Sequence, residues 1–149
     1  MKIRASIIQI LTLLFFMTAI SSYSQSAQII DKMLSSQALT CGDACYLAGI
    51  MAGKITDDTP IVKTLELFRH IKGLENAKAD DIIRYDVFVA LVMDAGNIKG
   101  SIWYNLSKSP HYAFRYLKME GLVKDDVFPS SKVDPRDAIA IISKLSEVQ

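Results

Sequence analysis

Two cysteines four positions apart, Cys41 and Cys45, are the side chains whose spacing most directly suggests chemistry. In a regular helix they share one face, but their Cβ atoms lie about 5–6 Å apart, further than the roughly 3.8 Å that a disulfide prefers. A bridge would need a distorted first turn, which Gly42 allows. The spacing differs from the redox CxxC pattern, and Tyr46 stands where haem attachment needs a histidine. Three interpretations stay open: two buried thiols, an internal disulfide, and a metal or redox role.

The histidines do not belong to a catalytic motif. His70 and His111 are the only two, and the sequence has no HExxH sequence, serine elbow or glycine-rich phosphate loop. A pairing of Cys45 with a histidine stays open, because neighbours in space need not be neighbours in sequence. We therefore expect no enzyme, no catalytic residues and no cofactor. A periplasmic enzyme is the least favoured alternative.

Two pairs of adjacent aspartates, Asp57-Asp58 and Asp125-Asp126, raise the question of a calcium site. Calcium takes several oxygen ligands from closely spaced carboxylates. Neither pair has the alternating acidic ladder and terminal glutamate of an EF-hand loop. We expect solvated loop acids at both places and no metal site.

An aromatic and basic segment is the strongest candidate for a functional surface. Aromatic rings with arginine dominate protein-binding hot spots and also stack on sugar rings. The alternative is that the rings are part of the core, and exposure decides between the two. The candidate ligand-binding residues are Trp103, Tyr104, Tyr112 and Arg115, with His111 and Tyr116 beside them.

Proline and glycine mark the ends of the elements that must position these residues. Thr59-Pro60, Ser109-Pro110 and Asp134-Pro135 each place a capping side chain before a proline at the first helical position. Four glycines follow apolar residues at three-and-four spacing, where a left-handed residue ends a helix. These glycines are Gly53, Gly73, Gly96 and Gly121.

The pattern predicts an all-α fold, a small bundle of about five to six helices built from helix-loop-helix units. No alternating run of strand length is present. The helix over 82–95 is apolar around much of its circumference and is the expected core helix. The segment 99–108 is too short and too aromatic to assign, and a helical turn against the core is one interpretation. The predicted helices are Ala27–Leu39, Gly42–Ala52, Pro60–Lys72, Ile82–Ala95, Pro110–Glu120 and Pro135–Glu147.

A short internal repeat links two of the helix pairs. Gly53 and Gly121 each end a helix, and in both places paired aspartates follow at the fourth and fifth positions, then a proline and another helix. The predicted units span 41–73 and 109–147. A pair of this kind must bury its apolar face against another pair.

These loops and helix openings resemble surface-layer-homology modules. The loop from Gly121 to Pro129 and the opening Asp134-Pro135-Arg136-Asp137-Ala138-Ile139 carry the likeness, and the segment 83–90 is similar to the same opening. The segment 96–145 is also similar to uncharacterised helical domains of spirochaete-type envelope proteins. The resemblance implies binding of cell-wall glycan through Arg84 and Arg136. The alternative is that both arginines are ordinary charges of a first helical turn.

The N-terminal residues predict a secretory signal peptide over 1–24. Lys2 and Arg4 precede an apolar run of about 16 residues, shorter than the roughly 20 of a membrane span. Small residues at Ser22 and Ser24 predict cleavage before Gln25. A lipoprotein would need a cysteine at that position. We expect a single all-helical domain over 25–149, exported to the periplasm or cell envelope, with no stable membrane span in the mature chain.

The net charge of the predicted mature chain limits the kinds of molecule that we expect it to bind. The predicted mature chain loses two positive charges and no negative one, so its net charge falls from +1 to about −1. Proteins that bind nucleic acid usually carry a basic patch or stripe, so we expect no nucleic acid. The sequence thus favours a non-catalytic envelope interaction or anchoring module whose partner is an envelope protein. The alternative partner is a cell-wall glycan, bound by a module of surface-layer-homology type.

Overall fold

A computed structural model describes residues 21–147 of the chain. Most of the predicted signal peptide, residues 1–20, lies outside the described residues, as do 148–149. The described part contains seven α-helices and no strand, which confirms the all-α prediction. The helices are α1 Ser21–Ser35, α2 Cys41–Met51, α3 Ile61–Leu67, α4 Tyr85–Ala95, α5 Ile102–Ser107, α6 Pro110–Met119 and α7 Pro135–Ser146.

The count of seven helices exceeds the predicted five to six because the unassigned segment 99–108 contains α5. Six residues form fewer than two turns, too few for a helical period to be recognised. The helix α1 begins upstream of the predicted Ala27 and crosses the predicted cleavage position after Ser24. None of the helices within 21–147 combines the length and hydropathy that crossing a membrane requires.

The predicted ends of α2, α6 and α7 agree with the structure to within one residue. The helix α1 ends at Ser35 and not at Leu39, α4 begins at Tyr85 and not at Ile82, and α3 differs most. Pro110 and Pro135 occupy the first turn of α6 and α7, whereas Pro60 lies just before α3 as its N-cap residue. The helix α3 ends at Leu67 and not at Lys72. Successive three-residue turns continue from there through 74, and their amides donate to the carbonyls three positions earlier. This spacing keeps Phe68, Ile71 and Leu74 buried, so the apolar pattern imitates a longer helix.

Three of the four glycines have the left-handed backbone that their positions predict. The φ angles are +62° at Gly53, +98° at Gly73 and +71° at Gly121. The prediction for Gly96 is wrong, because its φ is −81° and the left-handed residue is the following Asn97 at +51°. Asparagine tolerates this region better than most residues. The helix α4 still ends at the predicted Ala95, and only the left-handed residue is displaced by one position.

The helix α4 is the centre of the core, as its sequence predicts. Every residue from Tyr85 to Ala95 is buried except the half-buried Asp94. It packs against α2 on one side and α6 on the other, while α2 also contacts α3 and α7. Removal of these apolar side chains from water is the main favourable term for such a bundle.

Three buried residues, each two positions before the first residue of α2, α4 or α7, meet at one place, which we call the junction: Leu39, Ile83 and Val133. The amide of Leu39 donates to the carbonyl of Val133 at 2.8 Å, and the amide of Ile83 donates to the carbonyl of Leu39 at 3.1 Å. Each of the three is at most 1 % exposed. The junction therefore joins three segments that are far apart in sequence.

The loops beside the junction complete the ends of the helices. The amides of Cys41 and Gly42, at the start of α2, donate to carbonyls of the 79–81 loop. At the start of α4, the amides of Tyr85 and Asp86 donate in the same way to carbonyls of 129–131. These first amides have no partner within their own helix. Backbone carbonyls from another segment satisfy them.

Candidate functional site

The helix α5 is fixed at both ends by short-range hydrogen bonds. The Ser101 hydroxyl accepts from the amide of Tyr104 at 3.3 Å as the N-terminal cap. At the other end Lys108 takes a left-handed conformation with φ +49°. The Asn105 side chain accepts from the amide of Gly100 and donates to its carbonyl. The short helix is thus held in one orientation by its own flanks.

Three large apolar side chains of α5 point into solvent, and we call them the α5 ridge. Ile102 is 81 % exposed, Trp103 is 64 % exposed and Leu106 is 79 % exposed. Scattered single apolar residues on a surface are ordinary, but a contiguous group of large ones indicates an interaction site. Sequence reasoning identified Trp103 but missed Ile102 and Leu106.

Tyr104 lies on the opposite side of α5 and is part of the core. Its side chain is 1 % exposed, so it does not belong to the exposed face that the aromatic segment predicted. Burial, with the nearby Asp94 carboxylate as a smaller cause, raises the pKa of the Tyr104 phenol to about 12. The Lys108 ammonium lies 4.9 Å from the centre of its ring. Tyr104 is the residue that anchors α5.

The predicted aromatic cluster forms between α5 and α6. The rings of Trp103 and Tyr112 stack with centroids 6.3 Å apart and an angle of 26°. His111 meets the Tyr112 ring edge-on at 5.6 Å. Tyr112 is half-buried, and Arg115 is exposed one turn further along α6. The structure therefore brings Trp103 and Tyr112 together, and Arg115 lies on the same helix. We call the α5 ridge with Tyr112 and Arg115 the α5–α6 face.

The charge of this part of the chain is one-sided. Residues 95–119 contain no aspartate or glutamate, and all 16 acidic residues lie elsewhere. The same stretch contains Lys99, Lys108, Arg115 and Lys118. Lys118 donates to the carbonyls of 125 and 127, while the other three are exposed. This acid-free run is the sequence signal that would have marked the whole face.

The two arginines of the predicted glycan site have different surroundings. Arg84 binds the carboxylate of Asp86 through two nitrogens, at 2.7 and 3.1 Å. Asp86 is 6 % exposed and also accepts from the amide of Val87. Arg136 is exposed on the first turn of α7. Arg84 therefore neutralises a buried acid in addition to facing solvent.

A groove of about 350 Å³ lies beside Arg84. Its polar lining includes Glu75, Asn76 and Asp81. The side chain of Ile82, 47 % exposed, adds an apolar surface. Hydrogen-bonding groups around an exposed apolar side chain can contact both the hydroxyls and the apolar face of a sugar ring.

The cysteines are free thiols in the structure, so the disulfide interpretation of Cys41 and Cys45 is not realised. Both are buried. Burial, with Asp81 as a smaller cause, raises the pKa of Cys41 to about 11. Burial also raises the pKa of Cys45 to about 12. Protonated thiols are poor nucleophiles and metal ligands.

The remaining residues with candidate chemistry are dispersed. The His70 ring nitrogen Nε2 contacts the Asp94 carboxylate at 2.9 Å. The aspartates of both pairs, 57–58 and 125–126, are exposed. Within 21–147, no three side chains of the metal-binding types converge on one point.

Comparison with protein-family models, with curated proteins and with solved structures found no match for this chain.

Proposed function

We propose that this chain is a non-catalytic, exported module that binds another component of the cell envelope through the α5–α6 face. The observation that carries the proposal is the exposure of Ile102, Trp103 and Leu106, between 64 and 81 %, on one short helix. Burying such side chains against a partner gains roughly 25 cal/mol per Å² of apolar surface. Their exposure in the isolated chain supports a binding role.

The rigidity of α5 supports the same proposal. Asn105 and Ser101 hold the helix by hydrogen bonds, and Tyr104 anchors it in the core. A surface that is ordered before binding loses less conformational entropy when the partner arrives. The stacked Trp103 and Tyr112 rings add amphipathic contact area of the type that dominates hot spots.

Export rests on the N-terminal pattern of two positive charges, an apolar run and small residues before Gln25. In an envelope location, the available partners are proteins, cell-wall glycan and the membrane surface. A single small helical module of this kind suits anchoring or docking.

A second candidate function is binding of cell-wall glycan at the groove beside Arg84. The favouring observation is the groove itself, which combines Arg84, Asn76 and Asp81 with the exposed Ile82. The resemblance to surface-layer-homology modules supports it, since the groove lies at a helix opening of the type that carries the likeness. The counter-argument is that Arg84 already binds Asp86.

The test is a pull-down of the purified protein with insoluble cell-wall sacculi and, in parallel, with detergent-solubilised envelope fractions. The face variant is Ile102→Ser with Leu106→Ser, and the matched control is Val62→Ser with Phe128→Ser, which removes two exposed apolar side chains elsewhere. We expect the face variant to lose envelope binding and the control to keep it. Equal retention by both variants contradicts the proposal.

The glycan candidate gives a different result in the same experiment. The protein would sediment with sacculi, the face variant would still sediment, and Asn76→Ala in the groove would not. Asn76 is exposed, so its replacement leaves the core intact.

A further inference from the structure

We infer that the partner of the α5–α6 face is the surface of an anionic lipid bilayer. The inference rests on the proposed function, because it names the partner of the same face. It follows from the shape of the ridge, the types of its side chains, the charge around it and the length of α5.

The shape of the α5 ridge favours a deformable partner. Ile102 and Leu106 stand one turn apart and are about four-fifths exposed, with Trp103 beside them. Side chains so exposed project from the surface as a convex feature. A protein partner would need a matching pocket, whereas a bilayer accepts projecting apolar groups by separating its headgroups.

The aromatic rings match the boundary between headgroups and hydrocarbon. Tryptophan and tyrosine are enriched at that level of a membrane, because their rings have an apolar body and a polar edge. Here Trp103 is 64 % exposed and is supported by the stacked ring of Tyr112. The ring is therefore held outward by a neighbour on α6.

The charge of the surrounding residues selects an anionic surface. Lys99 precedes the ridge and Arg115 on α6 is exposed, whereas the Lys108 ammonium lies over the Tyr104 ring on the other side of α5. No acidic residue occurs in 95–119, and the acids that adjoin this stretch are Asp94, which lies near the buried Tyr104, and Glu120. Basic residues near a membrane gain favourable interaction with anionic lipid headgroups, and this attraction weakens with salt.

The length of α5 limits the depth of contact. Six helical residues extend about 9 Å, which suits a helix lying in the interface and not one that crosses the bilayer. The Tyr104 side of the helix stays in the core, so only the ridge enters. The binding predicted is superficial and reversible.

The test uses the fact that Trp103 is the only tryptophan in the chain. The full chain is mixed with vesicles of phosphatidylglycerol and phosphatidylcholine, or of phosphatidylcholine alone, and its fluorescence and sedimentation are recorded. We expect binding to the anionic vesicles with a blue shift of the Trp103 emission, and quenching of that emission by brominated lipid. Binding through the apolar N-terminal run would sediment the protein without moving the emission, and this result would overturn the inference.

Two variants keep Trp103 as the reporter. Ile102→Ser with Leu106→Ser should weaken binding to anionic vesicles by about tenfold, while the control Val62→Ser with Phe128→Ser should bind as the original chain does. Lys99→Gln should weaken it by about fivefold at low salt and by less at high salt. All replaced side chains are exposed, and circular dichroism checks that each variant keeps its helices.

The outcomes separate this inference from the proposed function. If Trp103 emission is unmoved by anionic vesicles, yet the Ile102 and Leu106 variant loses a protein from the solubilised envelope fraction, the lipid inference fails and the proposed function stands. If the variant changes neither measurement, both fail. Equal binding to neutral and anionic vesicles contradicts the role of the basic residues.

Discussion

The junction and the α5 ridge are built from the same kinds of side chain but have opposite surroundings. At the junction, Leu39 and Val133 are completely buried, whereas Leu106 on the ridge is 79 % exposed. The junction backbone bonds pair residues from distant segments. Most of the bonds that hold α5 lie within its own immediate sequence, as between Asn105 and Gly100. One side-chain bond comes from further away, because the Lys72 ammonium donates to the Ser107 carbonyl at 3.1 Å.

This difference shows that residue type alone does not determine burial. Backbone groups at the junction need partners from other segments, so the side chains there are enclosed as the segments come together. The caps of α5 come from its own flanking residues, so Ile102 and Leu106 need not be buried for the helix to form. The ridge is therefore free to serve binding. Four predictions test this contrast.

We expect the largest loss of stability from a substitution at the junction. Leu39→Ala removes a fully buried side chain and leaves a cavity among three segments, so we expect the free energy of unfolding to fall by about 3 kcal/mol. The matched variant Leu106→Ala should change it by no more than about 0.5 kcal/mol, because that side chain is already in water. Urea denaturation followed by circular dichroism measures both. Equal losses would abolish the contrast.

The second effect is alkaline destabilisation through Tyr104, which belongs to α5 but is buried as the junction residues are. Its pKa is raised to about 12, above the roughly 10 of an unfolded tyrosine. Below pH 10 both states keep the proton, and between pH 10 and 12 the unfolded state loses it first, so stability falls as pH rises. The loss should reach about 2 kcal/mol by pH 12.

Tyr104→Phe tests the cause of that loss. The variant removes the ionisable hydroxyl and should show a shallower decline of the free energy of unfolding between pH 10 and 12. Tyr85, whose burial also raises its pKa to about 12, contributes in the same direction and keeps part of the decline. An identical pH profile for the variant would rule out Tyr104 as a contributor.

The third prediction compares the contributions of Arg84 and Arg136 to stability. Arg84→Ala leaves the carboxylate of Asp86, 6 % exposed, without its guanidinium, and should lower the free energy of unfolding by about 1.5 kcal/mol. The cost stays modest because the Arg84 side chain is itself 60 % exposed. Arg136→Ala should change stability by less than about 0.5 kcal/mol. Thermal denaturation compares them, and equal effects would contradict a structural role for Arg84.

The smallest effect concerns helix ends. Gly121→Ala should cost about 1 kcal/mol, because φ is +71° and no atom lies within 4 Å of the added carbon, so only backbone strain acts. Asn97→Gly should instead raise stability by about 0.5 kcal/mol, since residue 97 holds the left-handed position that the sequence suggested for Gly96. Urea denaturation measures both changes in the free energy of unfolding. A loss for Gly121→Ala with a gain for Asn97→Gly supports a left-handed residue at position 97, and a loss for Asn97→Gly contradicts it.

The fold was predictable where the spacing of apolar side chains agrees with the prolines and glycines that mark helix ends. The apolar circumference of α4 and the prolines at 110 and 135 correctly located helices, because each signal is local. The segment after Leu67 was not predictable, since turns of three residues and a helix bury apolar side chains at similar spacing. The junction was missed because its hydrogen bonds join residues distant in sequence.

The residue types of the candidate site were predictable from the sequence, but which side chains face solvent and which face the core was not. Trp103 and Tyr112 were named from composition, and the structure stacks them. Tyr104 was named for the same reason and proves to be core, because on a helix of six residues the pattern does not reveal which side is inward. The role of Asn105 in fixing the ridge depends on its bonds to Gly100, which only coordinates reveal.

The junction also limits when the fold can be completed during synthesis of the chain. Leu39 and Val133 stand near opposite ends of the described residues, so their hydrogen bond forms only after nearly all of the chain has been made or delivered. Contacts that close such long loops are slow to form. An N-terminal fragment that ends before Val133 cannot form this bond, so the junction is completed only when the segment before α7 is present.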